Sequence, residues 1–183
     1  IRLFGIDSSR SPQETKRRIG YVGENQNFYD EMRVSWTAGF VRQYYPQWDQ
    51  GLFQTMLDRF GVDPKKKVGA LSKGTRVKLA CALAIAHHPE LLILDEPTSG
   101  LDPVVRQELL AELLAFVRAG DRSVLFSSHI TQDLERIADY ITLIIGGRIV
   151  DSTDKEDLLD RHRRSNPTAS LDDLLISLVK GGK

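Results

Sequence analysis

The amino-acid sequence predicts an α/β fold in which a parallel β-sheet is flanked by helices. Leu91–Leu94 is an unbroken run of branched apolar residues, which is typical of a strand buried on both faces of a parallel sheet. Two further short runs, at residues 19–22 and 123–127, are predicted to be core strands as well. Helical patterns separate the three runs, and this alternation of strand and helix is typical of the α/β class.

Composition narrows the classes of protein to which the chain can belong. With 183 residues it can form one α/β core, with room for a smaller lobe. Its 25 basic and 25 acidic residues balance, which argues against a basic platform for nucleic acid. The single cysteine, Cys81, excludes an internal disulfide framework and fits a reducing compartment. No apolar run approaches the length needed to cross a bilayer.

The beginning of the chain is predicted to contain two strands and one helix. Residues 1–6 form the first strand, and Pro12 begins a short helix that runs to about Arg18. Residues 19–22 form the second strand, and Gly23 releases the chain into a loop.

Aromatic residues are concentrated in the segment that follows this loop. Eight of the fourteen in the chain lie between Phe28 and Phe53. Trp36, Phe40 and Tyr44 recur at four-residue spacing, which predicts a helix that buries them in the core of a small lobe.

The remaining elements follow from helical periodicity and from turn residues. They are helices at 49–60, 72–88 and 103–120, a strand at 123–127, a helix at 130–138, strands at 140–145 and 148–150 joined by two glycines, and helices at 154–162 and 171–179 with a polar linker at 163–166. His87 and His88 end the second of these helices, where a positive charge would suit the helix dipole.

Two adjacent carboxylates, Asp95 and Glu96, follow the strand Leu91–Leu94, and Pro97 ends it. Ligands of open α/β sheets bind at the carboxyl ends of the strands, so both acids are predicted to lie at the mouth of a site. An acid in this position often holds magnesium beside a phosphate. Taken alone, the pair is ambiguous, and a strand that simply emerges into a polar loop would be the favoured interpretation.

Four ordered motifs remove that ambiguity. LSKGT at residues 71–75 precedes a long helix, LLILDEP follows at 91–97, SGLD at 99–102, and an apolar strand then leads to His129. This order resembles the nucleotide-binding subunit of ATP-binding cassette (ABC) transporters, in which the pieces are the signature loop, Walker B, D-loop and switch histidine. The resemblance extends over nearly the whole chain.

The resemblance implies a P-loop NTPase-like parallel sheet flanked by helices, with a small helical subdomain. In this interpretation residues 1–24 belong to the core and residues 25–70 form the helical subdomain with the Q-loop region. Residues 71–150 form the rest of the core and contain the four motifs. Residues 151–183 are a C-terminal helical extension.

The resemblance also implies that the chain uses ATP with Mg²⁺. Asp95 would hold magnesium through its water shell, and Glu96 would orient or deprotonate the attacking water. His129 would steady the γ-phosphate as charge develops. In the family a glutamine in the loop after the second core strand contacts magnesium and this water. Glu24 occupies the corresponding position, a departure, because a carboxylate cannot donate a hydrogen bond as an amide does; a plain surface glutamate is the alternative.

The signature residues would act in trans. Ser72 and the backbone of Gly74 would face the γ-phosphate bound by a second subunit, since a helix N-terminus presents unpaired amides to an anion. Lys73 replaces the usual glycine and Thr75 the usual glutamine. Asp102, in the D-loop, would lie at the interface between the two subunits.

Partners and cellular place also follow from the resemblance. We expect a head-to-tail homodimer, or a heterodimer with a second ABC ATPase, in which each subunit completes the other's site. A transmembrane permease would dock near Phe28, Tyr29 and Met32, with the subunit peripheral on the cytoplasmic face of the cell membrane. No nucleic-acid partner is expected.

One family motif does not occur in the sequence. The P-loop pattern G-x-x-x-x-G-K-[ST] is absent, and the only Gly-Lys pair is Gly182–Lys183. The resemblance therefore implies that this motif lies upstream of Ile1, and that the chain as given binds ATP weakly or not at all. The predicted function is the ATP-hydrolysing subunit of an ABC transporter. The alternatives are a soluble, non-transport ABC ATPase and a non-catalytic regulatory or binding module.

Overall fold

The computed structural model describes residues 1–163 and 170–181, which form two compact units, Ile1–Ser127 and a second unit that begins at Ser128. The first unit contains β1 (Arg2–Leu3), β2 (Ile6–Asp7), α1 (Pro12–Arg17), β3 (Ile19–Val22), α2 (Val34–Arg42), α3 (Gln50–Phe60), α4 (Lys73–Ile85), β4 (Leu91–Leu94), α5 (Pro103–Arg118) and β5 (Ser123–Phe126), with a 3-10 turn at Val68–Ala70. The predicted subdomain boundaries stay a prediction.

The centre of the first unit is a parallel sheet in the order β3-β4-β5. Leu92 of β4 is in register with Gly20 on one side and Val124 on the other. This arrangement confirms the predicted α/β class and the parallel sheet flanked by helices. It also brings the carboxyl ends of the three strands to one edge.

One face of this sheet is covered by α4. Val22, Leu92 and Leu94 are buried, and α4 is buried on all sides from Val77 to Ile85. A Cβ on Gly20 would lie 2.6 Å from the carbonyl oxygen of Ala84, so only glycine allows this close approach of strand and helix.

The opposite face of the sheet is open in the described residues. Tyr21, Ile93 and Leu125 share one row across the three strands, and Tyr21 and Leu125 are exposed. Within the part of the chain that the structure describes, β5 pairs with no strand at its outer edge. A parallel sheet normally has helices on both faces, so this apolar surface is unusual.

The second unit is a hairpin with helices. It contains α6 (Thr131–Ile137), β6 (Tyr140–Ile145), β7 (Arg148–Asp154), α7 (Lys155–Arg163) and α8 (Leu171–Gly181). Strands β6 and β7 pair antiparallel across Gly146-Gly147, as predicted, and their inner residues pack with Leu158, Leu171 and Leu174. The predicted linker at 163–166 lies outside the described residues, except for Arg163, which ends α7.

Two sequence predictions about the elements of the first unit are wrong. The first six residues do not form one strand, because the chain turns at Phe4-Gly5, where φ is positive, and β1 pairs antiparallel with β2. The stripe of Trp36, Phe40 and Tyr44 is not buried: these side chains are 45%, 39% and 63% exposed. The face of α2 that enters the core carries small residues, Val34, Thr37 and Ala38.

Candidate functional site

Asp95 and Glu96 lie at the carboxyl edge of the parallel sheet, as the sequence predicts. The backbone N–H of Asp95 donates to the carbonyl of Val22, 2.8 Å away, so the first acid is still held by sheet pairing. Asp95 is exposed, whereas Glu96 is half-buried. Both acids are therefore placed where a ligand of an open α/β sheet would bind.

A serine that the sequence analysis did not select connects the two acids. The Ser127 hydroxyl donates to Asp95 Oδ1 over 2.7 Å and accepts from the backbone N–H of Glu96 over 2.9 Å. Ser127 follows β5 directly, and Phe126 is in register with Leu94. The signal available in the sequence was a serine at the end of the neighbouring strand, but its pairing with the acids depends on the register.

Glu96 has an unusual backbone conformation. Its φ is 47°, in the left-handed region that residues other than glycine avoid. Such a conformation costs on the order of 1–3 kcal/mol and persists only where neighbouring contacts hold it. Here the Glu96 N–H is bonded to Ser127, and its carbonyl accepts from the N–H of Ser99. The turn that orients Glu96 is thus held at both its backbone N–H and its carbonyl group.

A cavity of about 600 Å³ in the first unit is lined by both Glu24 and Asp95. The residues 23–28 form one wall, and helices α2 and α4 supply others. Carboxylate and hydroxyl oxygens are ligands that Mg²⁺ prefers, usually with several waters retained. Asp95 and Glu24 both supply carboxylate oxygens to this cavity, which suits a magnesium ion held through water. No group of three or more His, Cys, Asp or Glu side chains with metal-binding geometry occurs in residues 1–163 and 170–181.

Gln26 is a second residue that the sequence analysis did not select. It lines the same cavity as Glu24, and its side-chain amide donates to the carbonyl of Gly23 over 2.8 Å. The resemblance gives Glu24 the position of a family glutamine, and Gln26 carries such an amide two residues further along the loop. The structure therefore offers two candidates for the polar group of this loop.

Ser72 is the N-cap of α4, as predicted. Its hydroxyl accepts from the N–H of Thr75 over 3.2 Å and lies 2.8 Å from the Thr75 hydroxyl. Ser72 and Lys73 are exposed. The free N–H groups and the partial positive charge of the helix terminus are thus accessible to an anion.

The beginning of α4 packs closely against residues 100–105 of the same chain. A Cβ on Gly74 would lie 3.0 Å from Val105 Cγ1, and one on Gly100 would lie 2.9 Å from Lys73 Nζ. Asp102 caps α5 by accepting from the N–H groups of Val104 and Val105, each over 3.1 Å. The 600 Å³ cavity is not lined by Ser72 or Gly74, so within the described residues the two groups of candidate residues occupy different places.

Two predicted roles need a ligand or partner outside this chain: phosphate contact by His129, and docking by Phe28, Tyr29 and Met32. His129 is exposed and belongs to the second unit, so its action on a phosphate stays a prediction. Of the predicted docking residues, Tyr29 and Met32 are exposed, whereas Phe28 is half-buried and lines the large cavity.

His87 has a different environment from the one predicted. It is 1% exposed, stacks on Tyr45 with ring centroids 3.9 Å apart, and neither ring nitrogen has a hydrogen-bond partner in the described residues. Burial lowers its pKa to about 4, so the ring is neutral at pH 7 and cannot offset a helix dipole. His88 is exposed and bonds Asp49 over 3.1 Å.

We expect the buried His87 to make stability depend on pH. Its pKa falls from 6.5 in the unfolded chain to about 4 in the folded one, so the unfolded chain binds more protons between these values. The free energy of unfolding should therefore drop as pH is lowered from 7 to 4, by on the order of 3 kcal/mol from this residue. Urea unfolding of wild type and His87→Phe, which keeps a ring against Tyr45, measures the difference. An equal slope in both would contradict the assignment, and His88→Gln is the control.

Comparison with known proteins agrees with this architecture. Residues 1–99 match the model of the family described as ABC transporter. The chain is 30% identical over 166 residues to a bacitracin transport ATP-binding protein, BcrA, of Bacillus licheniformis, and 29% identical over 169 residues to the ABC transporter ATP-binding protein NatA of Bacillus subtilis. A solved structure titled as the ATP binding subunit of an ABC transporter superposes with a TM-score of 0.83 over 96% of the chain, at 25% identity. This chain belongs to the ABC transporter family.

The match covers the chain more fully than it covers the relatives. Alignment with BcrA includes 90% of this chain but 54% of that protein, and alignment with NatA includes 89% and 68%. The solved structure is covered over 74% of its length. The chain thus spans about half to two thirds of the length of these relatives.

Proposed function

We propose that this chain is part of the ATP-binding and ATP-hydrolysing subunit of an ABC transporter, which couples hydrolysis to movement of a substrate across a membrane. The observation that carries the proposal is the pair Asp95 and Glu96, held at the carboxyl edge of the sheet by Ser127. The name of one relative, the bacitracin transport ATP-binding protein BcrA, supports the transport role.

In the proposed mechanism the residues of this chain position the metal and the attacking water and stabilise the charge on the phosphate. Asp95 would hold Mg²⁺ through water, and Glu24 or Gln26 would contribute from the loop 23–28. The metal would supply charge neutralisation for the transferred phosphoryl group. Glu96 orients the attacking water and accepts its proton, and the Ser127 contact to its N–H fixes where that carboxylate points. His129 then steadies the γ-phosphate.

The signature half of the site serves a second subunit. Ser72, Gly74 and the flanking Lys73 and Thr75 present a helix N-terminus outside the cavity that contains Asp95. This separation supports a head-to-tail pair of subunits, in which Asp102 lies at the interface and each chain completes the other's site. Both homodimers and heterodimers satisfy this geometry.

The open face of the parallel sheet is an argument that another segment supplies the phosphate-binding loop. Tyr21, Ile93 and Leu125 form an apolar surface, and β5 has an unpaired outer edge among the described residues. A strand and a helix added there would cover both. In this proposal the P-loop belongs to that layer, and ATP binding requires it.

The subunit works with a permease on the inner face of the cell membrane. None of the helices within residues 1–163 and 170–181 has the length and apolar character needed to span a bilayer. Tyr29 and Met32 are exposed beside the loop 23–28, which supports docking of the permease at this loop.

The proposal is tested on the complete gene product, purified from membranes through an affinity tag. We expect Mg²⁺-dependent ATP hydrolysis and a multi-span membrane protein that co-purifies in a fixed ratio. ATP hydrolysis without a membrane partner would indicate a soluble ABC ATPase. Nucleotide titration of this chain beside a version extended upstream should show binding only in the extended form, and no binding in either would indicate a non-catalytic module.

A further inference from the structure

The helix that follows His129 is too short to hold its own position. α6 begins at Thr131, two residues after His129, and ends at Ile137. Isolated helices shorter than about 12–15 residues are marginal in water, so a seven-residue helix depends on what it packs against. Its N-cap residue, Ile130, makes no side-chain cap, and the N–H of Ile130 is bonded to the Ser128 hydroxyl over 3.0 Å. The backbone that carries His129 is therefore set by contacts from outside α6.

Helix α8 of the same unit makes these contacts. The Thr131 hydroxyl donates to Asp172 Oδ1 over 2.6 Å, and the backbone N–H of Leu171 donates to Glu135 Oε1 over 2.7 Å. Thr131 and Glu135 belong to α6, whereas Leu171 and Asp172 are the first residues of α8. Each helix thus accepts a hydrogen bond from the other through a carboxylate, and both bonds lie at the beginning of α8.

The polar contacts do something that the apolar contacts of α8 do not. Leu171 and Leu174 are buried in the core of the second unit, and Leu134 of α6 packs against the same cluster. Apolar burial is non-directional, so it does not fix the register of one helix on another. Thr131 is only 4% exposed, and a buried hydroxyl costs free energy unless it is hydrogen-bonded. The bond to Asp172 therefore selects one register of α8 at the beginning of α6.

We propose that α8 positions His129, and that Asp172 acts on His129 through Thr131. The hydrogen bond from Asp172 holds Thr131, which orients the backbone two residues earlier, where the exposed His129 side chain is attached. Asp172 and Thr131 are thus positioning residues, and His129 is the group that meets the phosphate. This inference rests on the proposed function, because it takes the role of His129 from it. It also assigns a role to a C-terminal helix in which the sequence contains no motif.

Loss of this positioning is expected to lower turnover and to leave ATP affinity unchanged. In the proposed mechanism His129 steadies the charge that develops during phosphoryl transfer, so its contribution belongs to the transition state and not to ATP binding. A misplacement of about 1 Å can cost on the order of 10²-fold in rate. The effect of breaking the bond between Asp172 and Thr131 should therefore appear in kcat and not in KM.

Thr131→Val in the complete protein tests the proposal, because valine keeps the shape of the side chain and removes the hydroxyl. We expect kcat for ATP hydrolysis to fall ~10-fold, with KM within ~2-fold of wild type. Thr131→Ser retains the hydroxyl and should restore most of kcat. Thr142→Val is the matched control, since it removes the bond between Thr142 and Ser152 in the hairpin of the same unit, and it should keep wild-type turnover. Wild-type kcat in Thr131→Val, or an equal loss in Thr142→Val, would overturn the proposal.

A double-mutant cycle separates positioning from a general effect on the fold. In a His129→Ala background, Thr131→Val should change kcat by less than ~2-fold, because no imidazole is left to position. Asp172→Ala should behave as Thr131→Val does, alone and in this background. Single-turnover hydrolysis with enzyme in excess resolves the low rates, and urea unfolding curves give the folded fraction of each variant. Additive losses in the His129→Ala background would show that the two residues do not act through His129, and would overturn the proposal.

The wild-type protein and His129→Ala by itself separate this inference from the proposed function. A complete wild-type protein without Mg²⁺-dependent ATP hydrolysis overturns both. Wild-type turnover in His129→Ala removes the role of His129, and with it the positioning by α8. A loss of turnover in His129→Ala without a loss in Thr131→Val overturns the positioning by α8 alone and leaves the proposed function in place.

Discussion

Replacement of Glu96 by glutamine in the complete protein is expected to lower kcat by ~10²–10⁴-fold while ATP binding stays close to wild type. Glutamine keeps the shape of the side chain but cannot accept the proton of the attacking water at neutral pH. The backbone contacts that hold this turn, from Ser127 to the Glu96 N–H and from Ser99 to its carbonyl, do not involve the side chain. Steady-state hydrolysis and nucleotide titration measure the two quantities separately.

Glu90 provides a matched control for this substitution. It precedes β4, at the opposite end of the strand from Glu96, and pairs with Arg18 over 2.6 Å. Glu90→Gln makes the same chemical change outside the site, so turnover should be retained. Wild-type hydrolysis by Glu96→Gln would remove Glu96 from the role of base, and equal losses in both variants would indicate a structural effect.

The second large effect is expected from Leu92→Ala, at a cost of about 2–5 kcal/mol in the free energy of unfolding. Leu92 is fully buried in the middle of the central strand, between β3 and β5. Removing its side chain leaves a cavity beneath α4 that the close contact of Gly20 with Ala84 prevents from collapsing. Urea unfolding followed by far-UV circular dichroism measures the loss.

Ile93→Ala is the control for the central strand. Ile93 lies one residue further along β4 and faces the open side of the sheet, in the row of Tyr21 and Leu125. The loss of stability should be clearly smaller than for Leu92→Ala, because less surface is removed from water on folding. Equal losses would mean that the second face of the sheet is also covered.

The sequence predicted the elements whose signals are local. Capping residues and turn glycines specified α3, α4 and the hairpin of β6 and β7, because each depends on contacts within a few residues. The Asp95-Glu96 pair was found for a similar reason, since the acids interrupt a strongly apolar run. The roles of these acids, and of Ser72 and His129, came from the family resemblance and stay predictions.

Burial and pairing across the sheet were decided by the tertiary structure. A four-residue spacing shows that Trp36, Phe40 and Tyr44 share one face of a helix, but it cannot show whether that face meets the core. In the structure the core is formed by the buried helix α4, and α2 packs on it through its small residues. The aromatic face of α2 is therefore exposed.

By itself, then, the sequence determined the α/β class, the order of strands and helices after the first seven residues, and the acids at the end of the central strand. Only the tertiary structure decided that Ser127 joins Asp95 to Glu96, that His87 is buried and neutral, and that one sheet face stays open. The physical reason is that periodicity and capping act between neighbours in the chain, whereas register, burial and desolvation depend on residues far apart in sequence.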